Sequence, residues 1–381
     1  MVVYKVICHR TEENPSHEII ENKMEIVFIT PSIKTGGGNR VFIELANQLC
    51  DMHNVSIVYP NNSPEINTFR MNSNIRLECI GKLAKSQAGK IWNLLRCVSY
   101  LNSLPSNNSL ILTDPIFCLF IPLLKHKKRV RRFIQADDYR IYDDGKILGK
   151  GLILKIYKKL CLYSYRQKID YIFNSNFVYN KFCTDIKRND VRFKLVHPAL
   201  NHSIFKYVEK DSFHGCSVCL VVRKHPMKGF KTFVNMYRNL PLEIKSQISR
   251  ITLISHDDLS EFDTHGMQIV KPTCDEDIAR VYQQSDIFIS TSWWEGFGLP
   301  PLEAMACGCV VITSKSGGVD EFAIDYVNCL MYPPKDELQL SEKLKTALSD
   351  SDLRRKLSLQ GRETATHFDW TKSATQFINI L

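Results

Sequence analysis

The chain has 381 residues, 44% of them hydrophobic and 24% charged, an ordinary globular composition that excludes a disordered, collagen-like or rod-like chain. At about 150 residues per domain, this length predicts two to three domains, with enough core to fold without disulfide or metal. Fifty Lys and Arg against forty Asp and Glu leave a formal charge of +10, which favours an anionic partner: nucleic acid, a nucleotide or an acidic membrane surface.

Residues 1–23 are polar and stand apart, as an extension or the product of an alternative start. After Met24, buried-strand runs alternate with helical stretches, the pattern of parallel sheets covered by helices. Strands are predicted at 25–30, 55–59, 109–113, 132–135 and 171–174, with 194–197 closing the series. Helices are predicted at 40–49 and 148–166. A second series opens near Val218, with strands at 218–222, 251–254, 267–270, 286–290 and 310–313. Residues 341–381 read as helices anchored by Trp370. The expected division is an extension over 1–23, a Rossmann-like domain over 24–200, a second over 201–365, and a C-terminal helix over 366–381 that packs back on the first domain.

The thirteen cysteines are scattered. Cys216 and Cys219 form the one C-x-x-C, and no Cys/His cluster has zinc-ligand spacing, so no metal is expected and the thiols are read as reduced, in a cytoplasmic protein. The N-terminus carries charges where a signal peptide needs an apolar segment. The longest apolar run, 109–124, is broken by Asp114, Pro115 and Pro122 and falls short of the ~20 residues of a spanning helix. A soluble or peripheral protein is expected.

Three stretches carry candidate chemistry. Between the first predicted strand and its helix lie Gly36, Gly37, Gly38, Asn39 and Arg40. Such a turn bares backbone N–H groups in front of a helix N-terminus and suits anionic oxygens, although its spacing is neither a dinucleotide fingerprint nor a P-loop. The second stretch runs from Ser290 to Gly308 and holds Glu295, Gly296, Phe297, Gly298, Leu299, Pro300, Pro301 and Glu303. Pro300 and Pro301 suit a helix start, which puts Glu303 in the first turn and Glu295 on the loop at the carboxyl end of the preceding strand. Two carboxylates flanking bare amides can face one cleft, the carboxylates for sugar hydroxyls and the amides for phosphate. The third is a basic run at 125–132, with cations at Lys125, Lys127, Lys128, Arg129, Arg131 and Arg132, followed by Lys150, Lys155, Lys158 and Lys159 on an apolar helix. A basic amphipathic surface of this kind can rest on anionic lipid.

The segment from Glu295 to Glu303 resembles the E-x7-E signature of glycosyltransferase family 4, the large retaining family with the GT-B fold. Residues 314–321, with Gly317, Gly318, Asp320 and Glu321, are similar to that family's glycine pair and acidic residue after the next strand. Arg223 and Lys228 look like its G-R-x4-K-G element, with Val222 where glycine is usual, and residues 36–40 resemble its N-terminal G-G-x-x-R loop. These four elements occur in order across about residues 24–365.

The resemblance implies an α/β protein of two Rossmann-like domains facing across a cleft, with a nucleoside-diphosphate sugar held mainly by the second. It implies that Arg223 and Lys228 neutralise the donor diphosphate, that Glu303 binds the ribose hydroxyls, and that Glu295 faces the transferred sugar. The backbone of Gly296, Phe297, Gly298 and Leu299 would approach sugar and phosphates, and Gly36, Gly37 and Gly38 would close from the other domain. Many relatives carry a histidine near the reacting sugar in the first domain. Here the comparable strand end offers Gln135, Asp137 and Asp138, and a carboxylate there would bind an acceptor hydroxyl or act as its base. Specificity is assigned to loops such as 83–101 and 271–276. The expectation is a retaining, metal-independent glycosyltransferase without a resident cofactor, acting on a glycan or lipid-linked glycan of a surface polysaccharide. It would be cytoplasmic, with peripheral attachment to the membrane's inner face as an option. A sugar-nucleotide epimerase or phosphorylase on the same scaffold stays open, as does, more distantly, a nucleic-acid binder, for which no helix-turn-helix, zinc-finger or aromatic RNA-binding pattern appears.

Overall fold

The computed structural model describes residues 23–34, 36–64, 69–140, 151–210 and 216–381, with 151–154 as backbone only. Residues 1–22 and Lys150 of the sequence reading lie outside these.

The first lobe runs β1 (Glu25–Ile29), α1 (Gly37–Leu49), β2 (Asn54–Pro60), β3 (Arg76–Ile80), α2 (Gln87–Ser103), β4 (Ser109–Leu112), α3 (Pro115–Cys118), β5 (Val130–Ile134), α4 (Gly151–Ser164), β6 (Asp170–Phe173) and α5 (Asn176–Ile186). The second continues with β7 (Cys216–Val221), α6 (Phe230–Asn239), α7 (Leu242–Lys245), β8 (Ile248–Ile254), β9 (Gln268–Val270), α8 (Asp275–Gln283), β10 (Ile287–Ser290), α9 (Leu299–Ala306), β11 (Val310–Ser314) and β12 (Leu330–Tyr332). Three helices follow: α10 (Glu337–Ser349), α11 (Ser351–Thr366) and α12 (Trp370–Ile380).

Each lobe holds a six-stranded parallel sheet, ordered β3-β2-β1-β4-β5-β6 in the first and β12-β11-β10-β7-β8-β9 in the second. Read from β9, the second order repeats the first, so each sheet is doubly wound and reverses direction between β1 and β4 or between β7 and β10. Strands covered on both faces must be apolar throughout. This is why the central strands β1, β4, β10 and β11 are nearly continuous runs of buried Ile, Val, Leu and Phe. The edge strands read differently. In β3 three of five residues are exposed, and β12 is three residues long; the sequence reading places neither. The predicted strand at 194–197 is corrected: only Leu195 bridges to Phe173. Most of the predicted specificity loop 83–101 is corrected: from Gln87 on it lies in α2, capped by Ser86, whose Oγ accepts from the Gly89 amide.

The last helix returns to the first lobe. Phe377 of α12 stacks on Phe28 of β1 at 5.7 Å and tilts against Phe133 of β5 at 6.3 Å. Trp370, at the start of α12, is buried. One apolar core therefore includes residues of both lobes and of α12, tying the two sheets together. Among the described residues, no helix is long and apolar enough to cross a membrane.

Candidate active site

In doubly wound sheets the crevice outside the carboxyl ends of the strands, at the reversal point, is where ligands bind. Both reversal points open on one cavity of about 560 Å³ between the lobes. The first lobe lines it with Thr30 after β1 and Thr113 and Asp114 after β4; the second with Arg223 after β7 and Ser292 and Glu295 after β10. The sequence reading's Gly36, Gly37, Gly38, Arg223, Lys228, Glu295, Gly296, Phe297, Gly298, Leu299 and Glu303 all line this cavity, as does Asp138.

On the second lobe, the loops after β7 and β10 clamp each other. Trp293 donates its amide to the Met227 carbonyl at 2.8 Å, and Thr291 Oγ1 bonds the Lys228 carbonyl at 2.9 Å. Lys228 is thereby set beside Glu295, with Nζ 2.6 Å from Oε1. Arg223 lies 3.5 Å from Asp257, whose other carboxylate oxygen accepts from the Lys224 amide at 2.6 Å. His256, also on the cavity wall, has its imidazole pKa lowered by burial, then by Arg223 and Lys271. The two cations are positioned by carboxylates but remain partly exposed, Arg223 at 35% and Lys228 at 39% of the side chain. An entering anion can therefore reach both.

The loop between the carboxylates is held by close backbone packing. Glu295 pairs with Gly317 across an isolated parallel bridge: its amide donates to the Ser316 carbonyl and its carbonyl accepts from the Gly318 amide. A Cβ on Gly318 would sit 2.3 Å from the Gly296 carbonyl carbon, so only glycine permits that approach. Gly298 starts α9 from φ +98°, a left-handed conformation that side chains resist. Glu303 is the fifth residue of α9, in its second turn rather than its first as expected, and it is fully enclosed. Its Oε1 accepts from Arg40 at 2.6 Å and its Oε2 from the Tyr282 hydroxyl at 3.3 Å. Burial pushes its pKa up, against the pull of Arg40.

On the first lobe, α1 begins at Gly37, so two of the three glycines form the helix's first turn instead of preceding it as expected. Gln135 Nε2 holds the Gly38 carbonyl at 3.0 Å. The two candidate aspartates separate. Asp137 is corrected: it does not line the cavity but is buried, with Oδ2 2.6 Å from Arg140 Nε. Asp138 does line it, with Oδ2 2.6 Å from the fully buried Arg132 and 3.0 Å from the Tyr165 hydroxyl. Burial pushes the Asp138 pKa up to about 6 despite Arg132. Among the described residues, no group of three or more His, Cys, Asp or Glu is placed to hold a metal ion.

The basic run is also corrected. Arg129 is buried and donates to the carbonyls of Leu101, Leu104 and Pro105; Arg131 bonds the Leu381 carbonyl; Arg132 is fully buried. Three of the six cations thus serve the interior, leaving Lys125, Lys127 and Lys128 exposed. On α4, Lys155 and Lys159 are exposed beside Ile156, Tyr157, Leu160 and Tyr163, each at least 40% exposed.

The sequence reading missed Arg40 and Asp275 as site residues. Arg40 stood within a quoted motif, but its partners Glu303 and Asp275 lie 263 and 235 positions away, and no local spacing signals such a pair.

Residues 260–364 match the family model of Glycosyl transferases group 1. Over 105 residues the chain is 35% identical to the O-antigen chain mannosyltransferase B of Escherichia coli, covering 28% of this chain and 27% of that relative. The match thus spans about a quarter of each protein. The whole structure is similar to sucrose-phosphate synthase from Thermosynechococcus elongatus, with a TM-score of 0.76 at 17% identity over 94% of this chain and 98% of that one. It is also similar to WaaG, a glycosyltransferase involved in lipopolysaccharide biosynthesis, with a TM-score of 0.74 at 14% identity over 93% and 99%. At these identities the likeness shows the fold. The order of motifs, the match of residues 260–364 to the group 1 glycosyl transferases and the paired six-stranded sheets agree: the second lobe is similar to that family, and the chain has the GT-B fold.

Proposed function

We propose that this protein is a retaining, metal-independent glycosyltransferase that moves a sugar from a nucleoside-diphosphate donor to a hydroxyl of a glycan or lipid-linked glycan. One observation carries the reading: Arg223, Lys228, Glu295 and Glu303 from one lobe and Gly36, Gly37 and Gly38 from the other converge on one cavity. A diphosphate entering there meets two cations and a helix N-terminus, which stabilise the charge that builds on a departing nucleotide. It also competes for Lys228, which now neutralises Glu295 at 2.6 Å. Once Lys228 turns to phosphate, Glu295 is free to accept a hydroxyl of the transferred sugar. Glu303 takes the ribose hydroxyls, and Asp138, across the cavity, takes the acceptor hydroxyl.

A surface-polysaccharide acceptor is supported by the relative named as an O-antigen mannosyltransferase and by the structural likeness to a lipopolysaccharide enzyme. A cytoplasmic protein docked on an anionic membrane would use the exposed cations and apolar side chains of α4, with Lys125, Lys127 and Lys128. Thermal-shift measurements over UDP-, GDP-, dTDP- and ADP-sugars test the donor site. One nucleotide class should raise the melting temperature, and Arg223→Ala should abolish most of the rise. No stabilising nucleotide, or a rise unchanged in Arg223→Ala, would overturn the assignment.

A further inference from the structure

The cavity wall holds a charge cluster shared by both lobes. Arg40 leaves α1 of the first lobe and ends in the second, with Nη1 2.6 Å from Glu303 Oε1 and Nη2 2.9 Å from Asp275 Oδ2. The planar fork of a guanidinium bridges two carboxylates in one fixed geometry, which the freely rotating donors of an ammonium do not impose. Its plane lies over the Phe205 ring at 5.4 Å, which fixes it further. Arg40, Asp275, Tyr282 and Glu303 all line the cavity. Glu44, one turn along α1, adds a third carboxylate to the field of Arg40, so one cation faces three acidic groups. A buried cluster with surplus acceptors suits a ligand that brings hydrogen-bond donors without charge. Vicinal hydroxyls fit this description; phosphate does not.

Each oxygen of a carboxylate can accept about two hydrogen bonds. Glu303 spends one on Arg40 and one on Tyr282, which leaves room for a diol. Burial works to protonate Glu303, and Arg40 is the foremost influence opposing it. Without Arg40, the enclosed carboxyl would take up a proton and lose much of its strength as an acceptor.

We propose that Arg40 is a positioning residue for the donor's ribose: from the opposite lobe it orients Glu303 and Asp275 as a paired acceptor for the 2′- and 3′-hydroxyls. The proposal rests on the reading of Glu303 as the ribose contact and adds to it that the first lobe, through Arg40, sets how strongly the second discriminates ribose from deoxyribose. Arg40 touches no reacting atom in this scheme.

Titration calorimetry of the full chain with UDP, GDP and ADP, each paired with its 2′-deoxy counterpart, tests both readings separately. The wild type should bind one ribonucleotide about tenfold or more tightly than its deoxy form, the loss expected when a buried carboxylate forfeits a charged hydrogen bond. Arg40→Met should bind the two forms within about twofold of each other, with the deoxy affinity close to wild type, because a general loss of fold would weaken both alike. If Arg40→Met does not fold, Arg40→Gln carries the same expectation. A wild type that binds no nucleotide, or binds both forms equally, removes the ribose reading of Glu303 and the proposal with it. A wild type that discriminates while the soluble Arg40 variant discriminates equally well overturns the role of Arg40 and leaves the donor site standing.

Discussion

The decisive side chains of this cavity are set by what each meets on burial. Adjacent aspartates show the point: Asp137 turns inward to Arg140, whereas Asp138 faces the cavity with Arg132 and Tyr165 behind it. An acid beside a cation would ordinarily ionise more readily, yet removal from water outweighs Arg132 and the nearby Asp114 adds repulsion, so Asp138 titrates near 6 instead of 3.8. The sign follows. Below about pH 6 the folded protein holds a neutral carboxyl that accepts a hydroxyl weakly; above it, a carboxylate that accepts well. The stability linkage runs the other way, since this group's contribution is full below 3.8 and lost as the pH rises through about 6. Turnover at saturating donor should therefore fall as the pH drops through about 6, even where the protein is not destabilised. Asp138→Asn should be slower by about 10²-fold at pH 8 and show no such limb, since general-base or acceptor contacts are worth that order. A pH–rate profile identical in Asp138→Asn and wild type would remove Asp138 from the acceptor site.

At the scale of elements, the lobes meet through a helix end. The first amides of α5, on Asn176 and Phe177, donate to the Glu321 carboxylate of the other lobe at 2.6 and 3.3 Å, and Asn176 Nδ2 adds a bond of 2.9 Å. His197 Nε2 lies 2.9 Å from the same carboxylate. A negative group at a helix N-terminus satisfies orphan N–H groups and complements the dipole. Burial pushes the Glu321 pKa up, but the hydrogen bonds from His197 and Asn176 prevail and hold it below 4.5. A lowered folded-state value means stability that is full above 4.5 and lost as the pH falls through that lower value. Glu321→Gln should cost about 2 kcal/mol at pH 7, the value of a buried charged hydrogen-bond set. The gap from wild type should narrow as the pH falls below 4.5 and close below the lowered folded-state value, where the wild-type carboxyl is neutral too. Chemical denaturation at both pH values, with amide exchange at Phe177, measures this; a gap that persists undiminished in acid would refute the cap. The same elements show what a sequence can disclose. Central strands were readable because burial on both faces demands unbroken apolar runs, and the loop from Glu295 to Glu303 because its glycines and prolines sit where backbone geometry needs them. The edge strand β3 was invisible, being half exposed, and the contacts of Glu321 and Arg40 were invisible because their partners lie 124 or more positions away.

For the whole molecule, the surplus of ten positive charges matters only where it reaches solvent. The run at 125–132 shows how far local density misleads: Arg129, Arg131 and Arg132 spend their charge on carbonyls and on Asp138, inside the lobe. Exposed Lys125, Lys127 and Lys128 remain, and on the same lobe α4 presents Lys155 and Lys159 together with Ile156, Tyr157, Leu160 and Tyr163, 40–54% exposed. Cations over apolar side chains on one helix match an anionic bilayer, where lipid headgroups meet the charge and acyl chains the apolar face. At about 1 kcal/mol per cation near the surface, each of these lysines that reaches the bilayer would add attraction that salt screens. In flotation, the protein should rise with vesicles containing anionic lipid, remain behind with purely zwitterionic ones, and release as salt increases. Replacing Lys155 and Lys159 with Glu should reduce the floated fraction by more than half, and Ile156→Ser with Leu160→Ser should do so in a way that salt does not mimic. Arg129→Gln offers the contrast: its guanidinium is buried among carbonyls, so the substitution should lower stability without changing flotation of the folded fraction. Equal binding to both kinds of vesicle, or a loss with Arg129→Gln as large as with the exposed lysines, would rule out this surface.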